Sequence, residues 1–186
     1  MRRTGIPHLF RAAGAGRGLW ALAALTLLSG AAMLPALRTM AGHGASVIAF
    51  ESAGDIARSQ KILAEWGVAG KSAMWWQLAL DTPFLVGYGL FLAGACTAVA
   101  RRAHADGRPR LERTAAALAW FGPLAAAADL LQNVSLALVL GGNVEQPWPR
   151  ISAVAGSLTT SFALVAAAFA LGGTIATRGA AHGQVP

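Results

Sequence analysis

The sequence is poor in charged residues. Only 12% of its 186 residues are Asp, Glu, Lys or Arg, whereas 55% are hydrophobic. This balance excludes an ordinary soluble domain of the same size, which needs a charged surface. There is one cysteine, Cys96, so an intrachain disulfide and a redox relay of paired cysteines are excluded as well. What remains is the composition of a protein that lies in a lipid bilayer.

Long hydrophobic runs, in contrast, are abundant. Four of them, at about 18–37, 74–100, 114–140 and 151–177, reach the length of about 20 helical residues that crosses a bilayer core. The runs are continuous and rich in Ala and Leu, without the alternation of a barrel strand. We therefore predict an all-α integral membrane protein: a four-transmembrane-helix bundle over 18–177, in contact with the lipid bilayer and without a separate soluble domain.

The basic residues are distributed unequally between the two sides of the predicted spans. Ten lie on the side of both termini: Arg2, Arg3, Arg11, Arg17, Arg101, Arg102, Arg108, Arg110, Arg113 and Arg178. Five lie on the other side: Arg38, Arg58, Lys61, Lys71 and Arg150. By the positive-inside rule, both termini are cytoplasmic in a multi-pass protein of the bacterial-type inner membrane. The net charge of +7 does not indicate a nucleic-acid partner, because these residues form no single patch.

The segments outside the predicted membrane domain are short. A basic cytoplasmic arm, 1–17, precedes the first span, and a cytoplasmic tail, 178–186, follows the fourth. The first span is longer than the apolar region of about 7–15 residues in a signal peptide, so we expect it to be retained. Cleavage near the small residues at 29–32 is the alternative.

The connection 38–73 is long enough to contain structure of its own. Ile56, Leu63 and Trp66 recur at helical spacing, which predicts an extra-cytoplasmic helix over 52–66 that Gly67 ends. Asp55 is placed for an ion pair with Arg58 within it. Four tryptophans predict an aromatic belt on the same side of the membrane: Trp66, Trp75, Trp76 and Trp148.

Two acidic residues, Asp81 and Asp129, fall inside predicted spans. An acid in hydrocarbon costs a few kcal/mol or more, so each is by default a candidate functional residue. Asp81 lies seven residues from the start of its span at Met74, and Asn133 lies seven residues from the end of its span at Leu140. At 1.5 Å per residue, both are therefore about 10 Å deep from the same side.

The same residues also share helix faces. Asp81 and Tyr88 are spaced i, i+7, and Asp129, Gln132 and Asn133 are spaced i, i+3, i+4. Antiparallel neighbours with polar faces at one depth tend to turn those faces together, away from lipid. The predicted ligand-binding site therefore consists of Asp81, Tyr88, Asp129, Gln132 and Asn133.

Several functions fit such a site. The first is binding of a small polar molecule or lipid headgroup, with a cation site and a proton-linked step as variants. The alternative is a non-catalytic subunit that meets a membrane protein partner, where polar side chains fix helix packing at about 0.6 kcal/mol per hydrogen bond. The third is an enzyme acting on a membrane-embedded substrate, although no catalytic residue or cofactor is identifiable. All four histidines lie outside the spans, so no metal centre is predicted.

At these residues the sequence resembles a group of uncharacterised bacterial four-span proteins. These share an outer helix that contains Glu and ends in Trp, an aspartate-aromatic-tyrosine pattern in span two and a D-x-x-E-N pattern in span three. Here the segments are FESAGDIARSQKILAEWG, Asp81 and Phe84 with Tyr88, and 129–133. Gln132 stands where the pattern has an acid, which lowers the local negative charge. The resemblance implies the architecture and the site, but no reaction.

Overall fold

The structure, a computed structural model, describes residues 8–182. Residues 1–7 of the predicted arm and 183–186 of the predicted tail lie outside that range. The described elements are all helices: α1 (His8–Ala13), α2 (Gly16–Gly42), α3 (Val47–Glu51), α4 (Ile56–Ala105), α5 (Pro109–Leu118), α6 (Phe121–Leu140) and α7 (Pro147–His182). The described part of the predicted arm therefore contains α1 and the start of α2.

Four stretches of helix are long and apolar enough to cross a membrane: Gly16–Gly42, Ile56–Ala105, Pro109–Leu140 and Pro147–Thr177. The predicted all-α, four-helix membrane fold is confirmed. The helices extend past the apolar runs because Ala, Lys, Arg and Gln also favour helix. Between α5 and α6 the helix is interrupted near Ala119, where Pro123 provides no N–H for the carbonyl four residues earlier.

The connection between the first two spans contains more helix than the sequence predicted. Helix α3 was not expected; Ser46 caps it by accepting a hydrogen bond from the Ala49 N–H at 3.2 Å. The predicted helix over 52–66 begins only at Ile56, as the first part of α4. Gly67 interrupts α4, with φ 57° and ψ −153°, a backbone conformation at positive φ that favours glycine. The predicted helix was expected to end at this same residue.

The relation between Asp55 and Arg58 also differs from the prediction. The Asp55 carboxylate accepts a hydrogen bond from the backbone N–H of Arg58 at 2.8 Å, and so caps the start of α4. The first turn of a helix leaves its N–H groups without intrahelical partners, and a short acidic side chain just before it satisfies one of them. The predicted ion pair is replaced by this cap.

The chain divides into two compact units. Unit 1 takes its described residues from 8–24, 87–125 and 161–182, and unit 2 consists of 25–86 and 126–160. Each contains segments of α2, α4, α6 and α7. Each also has its own apolar core.

Large side chains form the core of unit 2. Trp66 has no exposed surface, its Nε1 donates to the Ala45 carbonyl at 2.7 Å, and its ring lies 5.0 Å from that of Phe50. Met40 and Met74 are fully buried beside them. The prediction of an aromatic belt is therefore wrong for Trp66: a tryptophan whose N–H finds a partner packs well in a core.

Small side chains form much of the core of unit 1. Ala93, Ala115, Ala119 and Ala166 have no exposed surface. At Gly122 of α6, an added Cβ would overlap the backbone of Gly89 and Ala93 in α4. Helices can approach this closely only where side chains are absent or very small.

Candidate functional site

Polar side chains of unit 2 surround a cavity of about 480 Å³. Helices α3, α4, α6 and α7 form its walls. Helix α4 contributes one face at helical spacing: Met74, Gln77, Leu78, Asp81 and Phe84. The remaining lining residues are Ile48, Glu51, Ser52, Asp129, Gln132, Asn133, Ala153, Gly156, Ser157, Thr159 and Thr160.

The two predicted polar faces are joined by a direct hydrogen bond. Asn133 Nδ2 of α6 donates a hydrogen bond to Asp81 Oδ2 of α4 at 2.5 Å, and Asp81 is only 8% exposed. A carboxylate oxygen has two lone pairs, so Asp81 keeps capacity to accept further hydrogen bonds. This hydrogen bond fixes the depth of α4 relative to α6 in this unit. It also uses one N–H of the Asn133 amide.

Gln132 is held against α7. A Cβ added at Gly156 would lie 2.9 Å from both Nε2 and Oε1 of Gln132. A side chain at this position would require the end of the Gln132 side chain, which is buried, to move. Gly156 therefore lets an amide from α6 reach the cavity wall formed by α7.

Gln77 is a lining residue with a fully buried acceptor atom whose hydrogen bonding is incomplete. Its side chain is only 9% exposed, and its Oε1 accepts no hydrogen bond from any part of the chain that the structure describes. Leaving a buried acceptor without a partner costs about 1–3 kcal/mol. Buried amides in folded proteins are normally satisfied, so this oxygen indicates a donor supplied by something other than the described chain.

Glu51, at the end of α3, is a lining residue that the sequence analysis did not select. The Ser152 hydroxyl donates to its backbone carbonyl at 3.1 Å, which ties the end of α3 to α7. Burial, and then the nearby charges of Asp81 and Asp129, raise the pKa of Glu51 to about 7 from an ordinary 4.5. The sequence did contain a signal for Glu51. This residue directly follows the apolar run 47–50, within the connection between the first two spans.

The connection is also tied to the start of α7 through Gln146. Its Oε1 accepts from the Ile56 N–H at 3.2 Å, and its Nε2 donates to the Gly54 carbonyl at 3.3 Å. The amide thus satisfies one of the N–H groups that the first turn of α4 leaves without a partner. Two connections that are far apart in sequence are joined here.

The structure brings four of the five predicted site residues to one cavity: Asp81, Asp129, Gln132 and Asn133. Tyr88 belongs to unit 1, where it packs against the apolar core of that unit. It shares a helix face with Asp81, but it is not among the residues that line the cavity of unit 2. A role for Tyr88 in binding stays a prediction from the sequence.

The charge of the cavity is one-sided. Glu51, Asp81 and Asp129 line it, and none of its lining residues is basic. Within 8–182, nevertheless, no three His, Cys, Asp or Glu side chains are close enough together to hold a metal ion. The arrangement can accept hydrogen bonds and compensate positive charge.

The fold and the cavity define a multi-pass, all-α membrane protein with a polar cavity among its helices. No family model, curated protein or solved structure matches this chain. The function of the cavity therefore has to be inferred from its residues.

Proposed function

We propose that this protein binds a small polar molecule or a lipid headgroup in the cavity of unit 2. The observation that carries the proposal is Gln77, a buried amide at a cavity wall whose oxygen receives no hydrogen bond from the described residues. The cavity, at about 480 Å³, has the size of small-molecule sites, which measure roughly 300–1,000 Å³. Such sites combine apolar walls with a few polar groups, as Met74, Leu78 and Phe84 do here with the acids and amides.

We also propose an orientation, with both termini cytoplasmic in a bacterial-type inner membrane. The excess of basic residues on the side of the termini supports it, since positive loops are retained in the cytoplasm. The connection that contains α3 is then on the outer side, and the cavity that Glu51 lines is reached from there. A reporter that is active only in the cytoplasm, fused to the C-terminus, tests this orientation; an inactive fusion contradicts it.

Native mass spectrometry of the protein released from mild detergent tests the binding proposal. We expect wild-type protein to retain a bound molecule that Gly156→Leu loses, because the added side chain has to displace Gln132 and enter the cavity. Gly172→Leu is the matched control on the same helix, since a Cβ there meets nothing within 4 Å. Thermal unfolding verifies that both variants are folded.

Two results would contradict the proposal. One is wild-type protein without any bound molecule, unchanged by added lipid extract. The other is equal retention by Gly156→Leu and Gly172→Leu when both are folded. Asp81→Asn and Asp129→Asn provide a milder test, because each keeps the shape of the side chain and removes its charge; both are expected to weaken retention.

A second candidate function, a non-catalytic subunit of a membrane complex, is favoured by the bond from Asn133 to Asp81. This bond joins two membrane helices directly, as a purely structural polar contact would. The subunit role predicts that Asp81→Asn lowers thermal stability without changing retention of small molecules. It also predicts a partner that co-purifies in fixed stoichiometry after mild solubilisation.

A further inference from the structure

Two acceptors at the cavity have capacity for further hydrogen bonds. Gln77 Oε1 receives no hydrogen bond from residues 8–182. Asp81 accepts a hydrogen bond from Asn133, and its carboxylate has capacity for more. Gln77 and Asp81 are spaced i, i+4 on α4, so their side chains are neighbours on one face. Both residues line the cavity, so both are candidate acceptors for one donor group with several N–H bonds.

From this arrangement, and resting on the proposed function, we infer that the cavity binds its ligand through a primary or secondary ammonium group. The N–H groups donate to Gln77 Oε1 and to the Asp81 carboxylate, and Asp129 adds negative charge from α6. The same group occurs on amine-bearing lipid headgroups and on free amines, and the cavity chemistry is common to both.

Other ligand groups fit less well. An anionic group would meet Glu51, Asp81 and Asp129 without any basic lining residue to compensate it. A quaternary ammonium has no N–H, so it would leave Gln77 Oε1 unpaired. It also binds best in a cage of aromatic rings, and Phe84 is the one aromatic residue among the lining residues.

Charge favours a cation over a neutral hydroxyl. The Asp81 and Asp129 charges are close enough to Glu51 to raise its pKa, so the acids around the cavity repel one another. A bound positive charge relieves that repulsion, and hydrogen bonds from an ammonium to a carboxylate are stronger than those between neutral groups. A sugar or glycol would supply donors without compensating the acids.

The experiment measures binding of matched probes to the full chain in detergent at pH 8. The lipid probes are phosphatidylethanolamine, phosphatidylcholine and phosphatidylglycerol; the free probes are ethanolamine, choline and ethylene glycol. We expect the amine to bind at least about tenfold more tightly than its trimethylated and neutral counterparts. Binding by phosphatidylethanolamine alone assigns the site to a lipid, whereas equal binding by free ethanolamine assigns it to a soluble amine.

Variants connect the binding to these residues. Asp81→Asn is expected to weaken amine binding about tenfold or more, since it removes the charge and keeps the shape. Gln77→Leu is expected to weaken it as well, and it tests the inference independently if Asp81→Asn is poorly folded. Asp55→Asn is the control: it changes an exposed acid that is not among the lining residues, and Asn also caps helices well.

The outcomes separate the two proposals. Equal binding of the amine and the trimethylated or neutral probe would overturn the ammonium inference while supporting a binding function. Unchanged amine affinity in both Asp81→Asn and Gln77→Leu would overturn it too. If no probe binds and wild-type protein retains no molecule, the binding function falls and the inference falls with it.

Discussion

The two units hold their helices together by different means. Unit 1 relies on small residues: its core contains four fully buried alanines, and Gly122 lets α6 lie against the backbone of α4. Unit 2 relies on large side chains, with Trp66, Phe50 and the two methionines at its centre. Both solutions bury apolar groups, but only the core of large side chains lies in the same unit as the polar cavity of about 480 Å³.

The buried polar groups differ even more. Among the described residues, those of unit 1 are two threonines, Thr97 and Thr177. Those of unit 2 include a carboxylate and two amides: Ser29, Ser59, Gln77, Asp81, Gln132, Ser135 and Ser152. Because the described residues of unit 1 pack their helices without a buried amide or carboxylate, such groups are not a general requirement for helix packing in this protein. The comparison favours ligand binding over a purely structural role.

Removing the largest side chain of unit 2 should have the largest effect. Trp66→Ala is expected to lower the free energy of unfolding by about 3–5 kcal/mol, because it leaves a cavity and frees the Ala45 carbonyl. Trp76→Ala, at a position 66% exposed, is the matched control and should change little. Thermal unfolding in detergent measures both. Equal effects of the two substitutions would show that the core of unit 2 does not depend on this side chain.

A small residue should matter comparably in unit 1. Gly122→Ala is expected to cost about 1–3 kcal/mol, because the added Cβ overlaps the backbone of α4, which cannot rotate away as a side chain can. Gly172→Ala, where a Cβ meets nothing within 4 Å, should be neutral or slightly stabilising. The same unfolding measurement applies. Tolerance of Gly122→Ala would mean that close helix approach is not what stabilises unit 1.

The smallest effect concerns the charge at the cavity. Burial, and then Asp81 and Asp129, raise the pKa of Glu51 to about 7 from 4.5. Between these two pH values, Glu51 therefore holds a proton in the folded state that it has released in the unfolded state. Stability therefore falls as pH rises through this window and levels off above it. Glu51→Gln removes this component, so the variant should exceed the wild type at pH 8 by on the order of 1 kcal/mol, discounted for partial exposure.

Unfolding temperatures measured from pH 4.5 to 8 check this prediction. Glu145→Gln, an exposed acid that does not line the cavity, serves as the control and should run parallel to the wild type. If Glu51→Gln also ran parallel to the wild type, neither burial nor the charges of Asp81 and Asp129 would raise the pKa of Glu51 in the folded protein.

Composition and helical spacing were enough to predict the membrane fold and four of the residues that line the cavity. The apolar runs located the four long helices, and counting residues inward from the span ends put Asp81 and Asn133 at one depth, where they form a hydrogen bond. Gln77 was also within reach of this reasoning, since it lies four residues before Asp81 on the same face.

Glu51 and Gly156 were beyond that reasoning for a physical reason. Helical periodicity relates residues of one helix, whereas the approach of α3 and α7 to the cavity depends on contacts between segments about 100 residues apart, such as Ser152 with Glu51. Trp66 was misassigned for a similar reason: an amphipathic side chain suits either a membrane interface or a core. The partner that decides, the Ala45 carbonyl, lies 21 residues away.

The hydrogen bonds of Gln146 and Ser152 have a mechanical consequence for the cavity. Three bonds join the connection at 51–56 to the segment that begins α7, and the amide of Gln146 makes two of them. The carboxylate of Glu51 and the wall at Gly156 are therefore carried by segments that are fastened to each other. An outward displacement of the start of α7 therefore has to carry the end of α3 with it or break these three bonds.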